Sequence, residues 1–127
     1  MAWVNTVIAV ALLEYFVFLM AVGWARGKFK VAAPATTGHE VFERYYRVQM
    51  NTLEALVLFV PAVWLYGTYV SAQWAAILGA VFIVGRALYF VGYTRDPKKR
   101  GIGYLVGFVP TVVLSIGALI GAVRAAL

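Results

Sequence analysis

Cysteine is absent from this chain, and His39 is its only histidine. A disulfide framework and a cysteine nucleophile are thereby excluded, so any thiol chemistry needs a thiol carried by the substrate. A histidine-rich metal site is excluded too, and no metal is expected. Acids are scarce, five Asp and Glu against eleven Lys and Arg, for a net charge of +6. Also missing is the polar surface of a soluble domain, in which about 45–50% of residues are apolar. Here 64% of the 127 residues are hydrophobic and the mean hydropathy is +0.86. The composition is that of an integral membrane protein, and residues 1–127 are expected to form one domain.

What the chain does have is four long apolar runs: Ala2 to Trp24, Val41 to Tyr69, Ala72 to Tyr93 and Ile102 to Val123. Each is long enough for the roughly 20 helical residues that cross a ~30 Å hydrocarbon layer. Strands in lipid must close into a barrel with alternating faces, and these runs do not alternate. The expected fold is therefore all-α, a membrane four-helix bundle. The first run lacks a basic leader and carries Glu14 in its middle, so it is expected to stay rather than act as a signal peptide. Glu14 itself is expected to face the bundle and bond to a neighbouring helix. Pro34, Thr36, Thr37 and Gly38 read as a loop, with a helix starting near Gly38–Glu40. Pro61 and Pro110 fall inside the second and fourth helices and are expected to kink them. Gly103/Gly107 and Gly117/Gly121 have the spacing that allows close helix packing. Trp3, Trp24, Trp64 and Trp74 lie near segment ends, as interfacial anchors do.

The positive charge is unevenly placed. Arg26, Lys28, Lys30, Arg44 and Arg47 lie at or near the first connection, and Arg86, Arg95, Lys98, Lys99 and Arg100 at or near the third. The positive-inside rule puts these two connections in the cytoplasm and both termini on the opposite side. Attraction to lipid headgroups and an anion-binding mouth both account for such a basic rim. Basic residues on loops that hug a membrane are poorly placed for nucleic acid, so none is expected as a partner.

A polar ladder leads into the second run: Glu43, Arg44, Arg47, Asn51 and Glu54. At 100° per residue these side chains fall within an arc of roughly 100° on one face. Ionisable groups at membrane depth cost about 2.5–3.5 kcal/mol each on insertion scales, which marks them as functional by default. Acids and cations on one stripe can neutralise each other or grip a ligand bearing both signs. Gln49 points about 160° away from Arg47. Either it snorkels to the headgroups, or the polar site is shared between subunits and Gln49 serves the next one. In the third run Arg86, Tyr89 and Tyr93 share a face, followed by the basic turn Arg95 to Arg100. Tyrosines and arginines facing one way suit carboxylates, and tyrosines near a helix end also serve as interfacial anchors.

The stretch from Phe42 to Glu54, FERYYRVQMNTLE, resembles the signature of the MAPEG family, the membrane-associated proteins in eicosanoid and glutathione metabolism. The stretch from Gly85 to Arg100 resembles the family's second motif. The similarity is to the branch of microsomal glutathione transferases and cysteinyl-leukotriene synthases. It implies a homotrimer of four-helix subunits binding glutathione at each interface near the cytoplasmic side. Arg47, Asn51, Glu54, Tyr89, Tyr93 and Arg100 would come from one subunit, Arg26 and Gln49 from its neighbour. Glu54 is expected to take the glutathione ammonium, with Arg47, Arg26 and the tyrosines helping to hold its carboxylates.

Arg100 matches the arginine that faces the glutathione sulfur. A guanidinium cannot act as a base, so its implied role is electrostatic, lowering the thiol pKa below roughly 8.5 and holding the thiolate. A hundred-fold gain in thiolate corresponds to about 2.7 kcal/mol. The apolar wall of the cleft would admit a lipophilic electrophile or hydroperoxide from the bilayer. Ala55 replaces a tyrosine of the leukotriene synthase type, and Gly27 replaces a second arginine, which favours broader detoxification. Gly101 stands where the prostaglandin E synthase branch has a serine. The expected activity is a membrane glutathione transferase, with glutathione peroxidase activity possible for the same thiolate. The alternatives are a non-catalytic lipid-binding scaffold of the same family and a small packing or ion-conducting protein.

Overall fold

Within lipid, a backbone must satisfy its own hydrogen bonds, and long apolar runs do so as helices. A computed structural model describes all of residues 1–127 and shows four of them. These are α1 (Ala2–Phe29), α2 (Glu40–Tyr69), α3 (Ala72–Arg95) and α4 (Gly101–Ala126), with a short 3-10 helix at Pro97–Arg100 before α4. All four are long and apolar enough to cross a membrane. The protein is all-α and multi-pass.

Local chemistry sets the helix starts. His39 Nδ1 accepts the Val41 N–H at 3.1 Å, and Glu40 and Glu43 occupy the first turn of α2, where the dipole favours acids. Ser71 Oγ accepts the Trp74 N–H at 3.2 Å and opens α3. Gly38, just before α2, has φ 134°, a conformation that other residues rarely adopt. The helices outrun the apolar windows. The first continues past Trp24 to Phe29, with Arg26 and Lys28 in its last turn, where cations suit the dipole. The third continues past Tyr93 to Arg95, and α2 and α4 run on through Pro61 and Pro110.

The α2–α3 pair forms the centre, with α1 packed across one side of both and α4 across the other. The main core holds Val4, Ala11, Leu56, Phe59, Val63, Phe82 and Leu114, with the Phe59 and Phe82 rings stacked at 3.9 Å. Glycine brings α3 and α4 into near backbone contact. A Cβ on Gly103 would meet the Tyr89 backbone, and one on Gly85 would meet the Gly107 backbone. Gly117 and Gly121 let the same helix lie against Tyr66 and Tyr69 at the end of α2. Both glycine pairs therefore serve packing within the subunit, and the first fixes the height of Tyr89.

Candidate functional site

The ladder on α2 descends through three adjoining hollows. At its mouth, a hollow of about 470 Å³ takes in Thr36, Glu40, Glu43, Arg44, Arg47 and Tyr93. Below it a polar pocket of about 410 Å³ is lined by Arg47, Asn51, Tyr89, Tyr93, Arg100 and Tyr104. This pocket shares Asn51, Tyr89 and Tyr104 with a groove of about 620 Å³ between α2 and α4, whose walls include Leu58, Phe82, Phe108 and Val112. Five expected site residues, Arg47, Asn51, Tyr89, Tyr93 and Arg100, thus surround one pocket. Glu54 lies one turn deeper, on the groove beside Asn51.

Hydrogen bonds set the pocket's donors and acceptors. Asn51 Nδ2 donates to the Tyr89 hydroxyl at 2.7 Å, which leaves the phenol proton free for a ligand acceptor. Tyr89 is buried, while Arg47 and Arg100 are exposed, so the charged groups form the outer lip. The Arg100 guanidinium carbon stands 5.7 Å from the centre of the Tyr93 ring. Two contacts hold the turn that carries it. Asp96 Oδ1 accepts the Lys98 N–H at 3.0 Å, and a Cβ on Gly92 would collide with the Lys99 carbonyl. Arg44 adds a third from α2: Nη1 donates to the Arg95 carbonyl at 3.1 Å, and Nη2 pairs with Glu40 at 2.8 Å. A cation at the last carbonyl of α3 is favoured by the dipole. Of the two readings of the ladder, neutralisation within it or a grip on a ligand, Arg44 follows the first, paired with Glu40 and bracing the turn.

Arg86 was expected on the interfacial face with the two tyrosines. The structure places it deeper, only 3% exposed. Its Nη2 and Nε donate to Thr52 Oγ1 at 2.8 and 3.3 Å, and its guanidinium carbon lies 4.2 Å from the Tyr89 ring centre. Thr52 in turn donates to the Val48 carbonyl at 2.7 Å. Glu14 is half-buried and makes no salt bridge or hydrogen bond to a neighbouring helix. Sequence reasoning missed Thr52, a hydroxyl between Asn51 and Glu54 that lies off the face of the ladder. Tyr104 was missed as well, although its spacing of four from Arg100 was a signal.

Two expected site residues lie elsewhere. Gln49 is 7% exposed, and its Nε2 donates to the Tyr15 hydroxyl at 2.6 Å. It meets neither lipid nor headgroups, because α1 covers the far side of α2 and supplies a partner. Arg26 Nη1 donates to the Ala35 carbonyl at 2.6 Å, and its guanidinium carbon lies 4.8 Å from the Phe42 ring centre. It ties down the first connection and does not line the polar pocket of its own subunit.

The chain is similar to known proteins along most of its length. The MAPEG family model matches residues 4–120. Human microsomal glutathione S-transferase 2 is 41% identical over 105 residues, which is 83% of this chain and 69% of the relative. Leukotriene C4 synthase of Bos taurus is 39% identical over 95 residues, 75% of this chain and 62% of that enzyme. An uncharacterized Synechocystis protein is 46% identical over 118 residues, 93% of this chain and 86% of the other.

Proposed function

This chain belongs to the MAPEG family, and from that premise we propose that it is a membrane glutathione transferase. The observation that carries the reading is the pocket itself. Residues from α2, α3 and the turn before α4 converge on one polar hollow, which opens directly into an apolar groove. A water-soluble thiol and a lipid-soluble acceptor need such adjoining compartments. Glutathione carries two carboxylates and an ammonium. Arg47 and the Tyr89 and Tyr93 hydroxyls suit the carboxylates, and Glu54 suits the ammonium. Arg100 acts on the sulfur. Its fixed charge stabilises the thiolate, and the adjoining groove delivers a lipophilic electrophile or lipid hydroperoxide to it. With a hydroperoxide the same thiolate would give glutathione-dependent peroxidase activity.

The working form is a homotrimer in which Arg26 and Gln49 of the neighbouring subunit complete each site. Their placement on the opposite side from the pocket suits a shared site. For Gln49 this requires that its bond to Tyr15 be exchanged or shared on assembly. The first and third connections face the cytoplasm, where glutathione is plentiful, and the termini lie on the other side.

The test compares detergent-purified protein with its Arg100→Ala variant. Thiolate absorbance on adding glutathione, and turnover of a generic aromatic electrophile, are expected in the parent. Both should be lost in the variant while calorimetry still detects glutathione binding. Intact trimers with no thiolate and no turnover would overturn the transferase reading and favour the lipid-binding scaffold.

A further inference from the structure

At the opposite end of the bundle from the polar pocket, three unpaired polar side chains meet at one hollow. It measures about 360 Å³ and lies between the last turns of α2 and α4, lined by Tyr66, Tyr69, Gly117, Ile120, Gly121 and Arg124 among others. A Cβ on Gly117 would collide with the Tyr66 ring, and one on Gly121 would press on Tyr69, so the two glycines seat both tyrosines against α4. Neither tyrosine hydroxyl makes a hydrogen bond within the chain, and Arg124 makes neither a hydrogen bond nor an ion pair. Tyr69 and Arg124 are exposed, and the Tyr66 hydroxyl is not sealed off, since the only such atom without a partner is Arg44 Nε. All three groups can therefore donate to a ligand in the hollow. None of the residues lining it lines the polar pocket or the groove beside that pocket.

We propose that this hollow holds an anionic phospholipid of the membrane leaflet remote from the polar pocket. Arg124 and the two tyrosine hydroxyls donate to its phosphate, and an acyl chain runs along Ile120 and Val113. Depth agrees with that occupant. Arg124 lies 23 residues after Gly101, where α4 begins, about 35 Å along the axis at 1.5 Å per residue. That exceeds the ~30 Å of a hydrocarbon layer, so the guanidinium reaches the headgroups. Val113, three turns earlier on the same hollow, stays at the depth of acyl chains. A phospholipid spans both levels, whereas a free anion would leave the apolar part of the lining unused. Charge selects the headgroup. No acidic side chain occurs in α4, and the nearest on α2, Glu54, is twelve residues before Tyr66, about 18 Å away along the axis. Nothing there neutralises Arg124 or pairs with the ammonium of a zwitterionic lipid, so a net negative headgroup is favoured. A cation in the last turn of α4 also suits the helix dipole, and tyrosines anchor helices at interfaces. Neither of those roles calls for a hollow that brings the three side chains together.

The test measures equilibrium binding of radiolabelled phosphatidylglycerol and phosphatidylcholine to the purified full chain in mixed micelles. The parent should bind phosphatidylglycerol roughly ten-fold more tightly, the equivalent of one hydrogen bond from a charged donor. Arg124→Gln should bind the two lipids equally, while Arg124→Lys, which keeps the charge, should retain most of the preference. Val113→Trp, which fills the hollow, should weaken both lipids. The double variant Lys98→Gln, Lys99→Gln thins the basic rim at the other membrane surface and should keep the preference. Equal binding of the two lipids by the parent, or a preference that survives in Arg124→Gln, would overturn the proposal. So would a preference lost with Lys98 and Lys99, which would place the lipid at the basic rim, or unchanged binding in Val113→Trp. Inorganic phosphate that displaces the label as effectively as unlabelled phosphatidylglycerol would also overturn it, because the site would then serve a free anion.

Discussion

Replacing Thr52 by valine tests how the bundle tolerates a buried arginine. Valine has nearly the shape of threonine, so the packing against α3 is kept while the acceptor is removed. Thr52 is 1% exposed, and its Oγ1 is the sole protein acceptor for Arg86 Nε and Nη2. An ordinary hydrogen bond between membrane helices contributes only about 0.6 kcal/mol, because the separated helices find other partners. A charged donor left unmet in a buried site costs more, about 1–3 kcal/mol for each group. The two lost bonds share one oxygen, so Thr52→Val should destabilise by roughly 2–4 kcal/mol, less than twice the single-group cost at its upper end. Thr52→Ser keeps the oxygen and loses one methyl, about 0.8 kcal/mol. The assay is reversible unfolding in detergent micelles titrated with dodecyl sulfate. Valine as stable as the parent within about 0.5 kcal/mol would refute the argument. So would serine costing as much as valine.

Three further substitutions probe the site's supports. Gly103→Ala forces a Cβ onto the Tyr89 backbone and should cost about 1–3 kcal/mol by overpacking. Gly101→Ala, where a Cβ meets nothing within 4 Å, should be neutral or stabilising by up to about 1 kcal/mol in the same unfolding assay. Tyr89→Phe removes the acceptor of Asn51 and should raise the KM for glutathione about three- to ten-fold with kcat held, as steady-state kinetics would show. Arg44→Ala frees the Arg95 carbonyl and the Glu40 partner. It should lower Tm modestly while reducing thiolate absorbance, because the turn bearing Arg100 loses its brace to α2.

Most of the architecture is legible without coordinates because lipid leaves the chain few choices. Four apolar runs become four helices, and the face shared by Arg47, Asn51 and Glu54 follows from helical geometry alone. The departures arise wherever the answer depends on how one helix sits against another. Gln49 looks misplaced on α2 until α1 brings Tyr15 against it, thirty-four positions earlier in the chain. Arg86 shares a stripe with Tyr89 and Tyr93, yet a stripe does not report depth. Its burial follows from Gly103 and Gly85, which draw α4 close to α3, and from Thr52, which meets it from α2. The helix ends differ from the apolar windows for another reason: charged last turns continue a helix that hydropathy alone would end.

Polarity along α2 falls in steps that match what each level must do. At the mouth, Glu40, Glu43 and Arg47 stand nearer the water, so mixed signs there cost little. One level down, Asn51 and Tyr89 hold each other by a short neutral bond, which keeps the pocket's shape without a buried ion pair. In the groove Glu54 and one arginine remain, and Thr52 and the Tyr89 ring hold the arginine in place. A carboxylate paired tightly with Arg86 would have been the simpler way to bury it, and a salt bridge there would have consumed the donors. Glu14 stays outside salt-bridge range, so the bundle holds the guanidinium without an ion pair. The same residue thus links the apolar groove to the polar pocket, since the ring it lies over is that of the tyrosine bonded to Asn51.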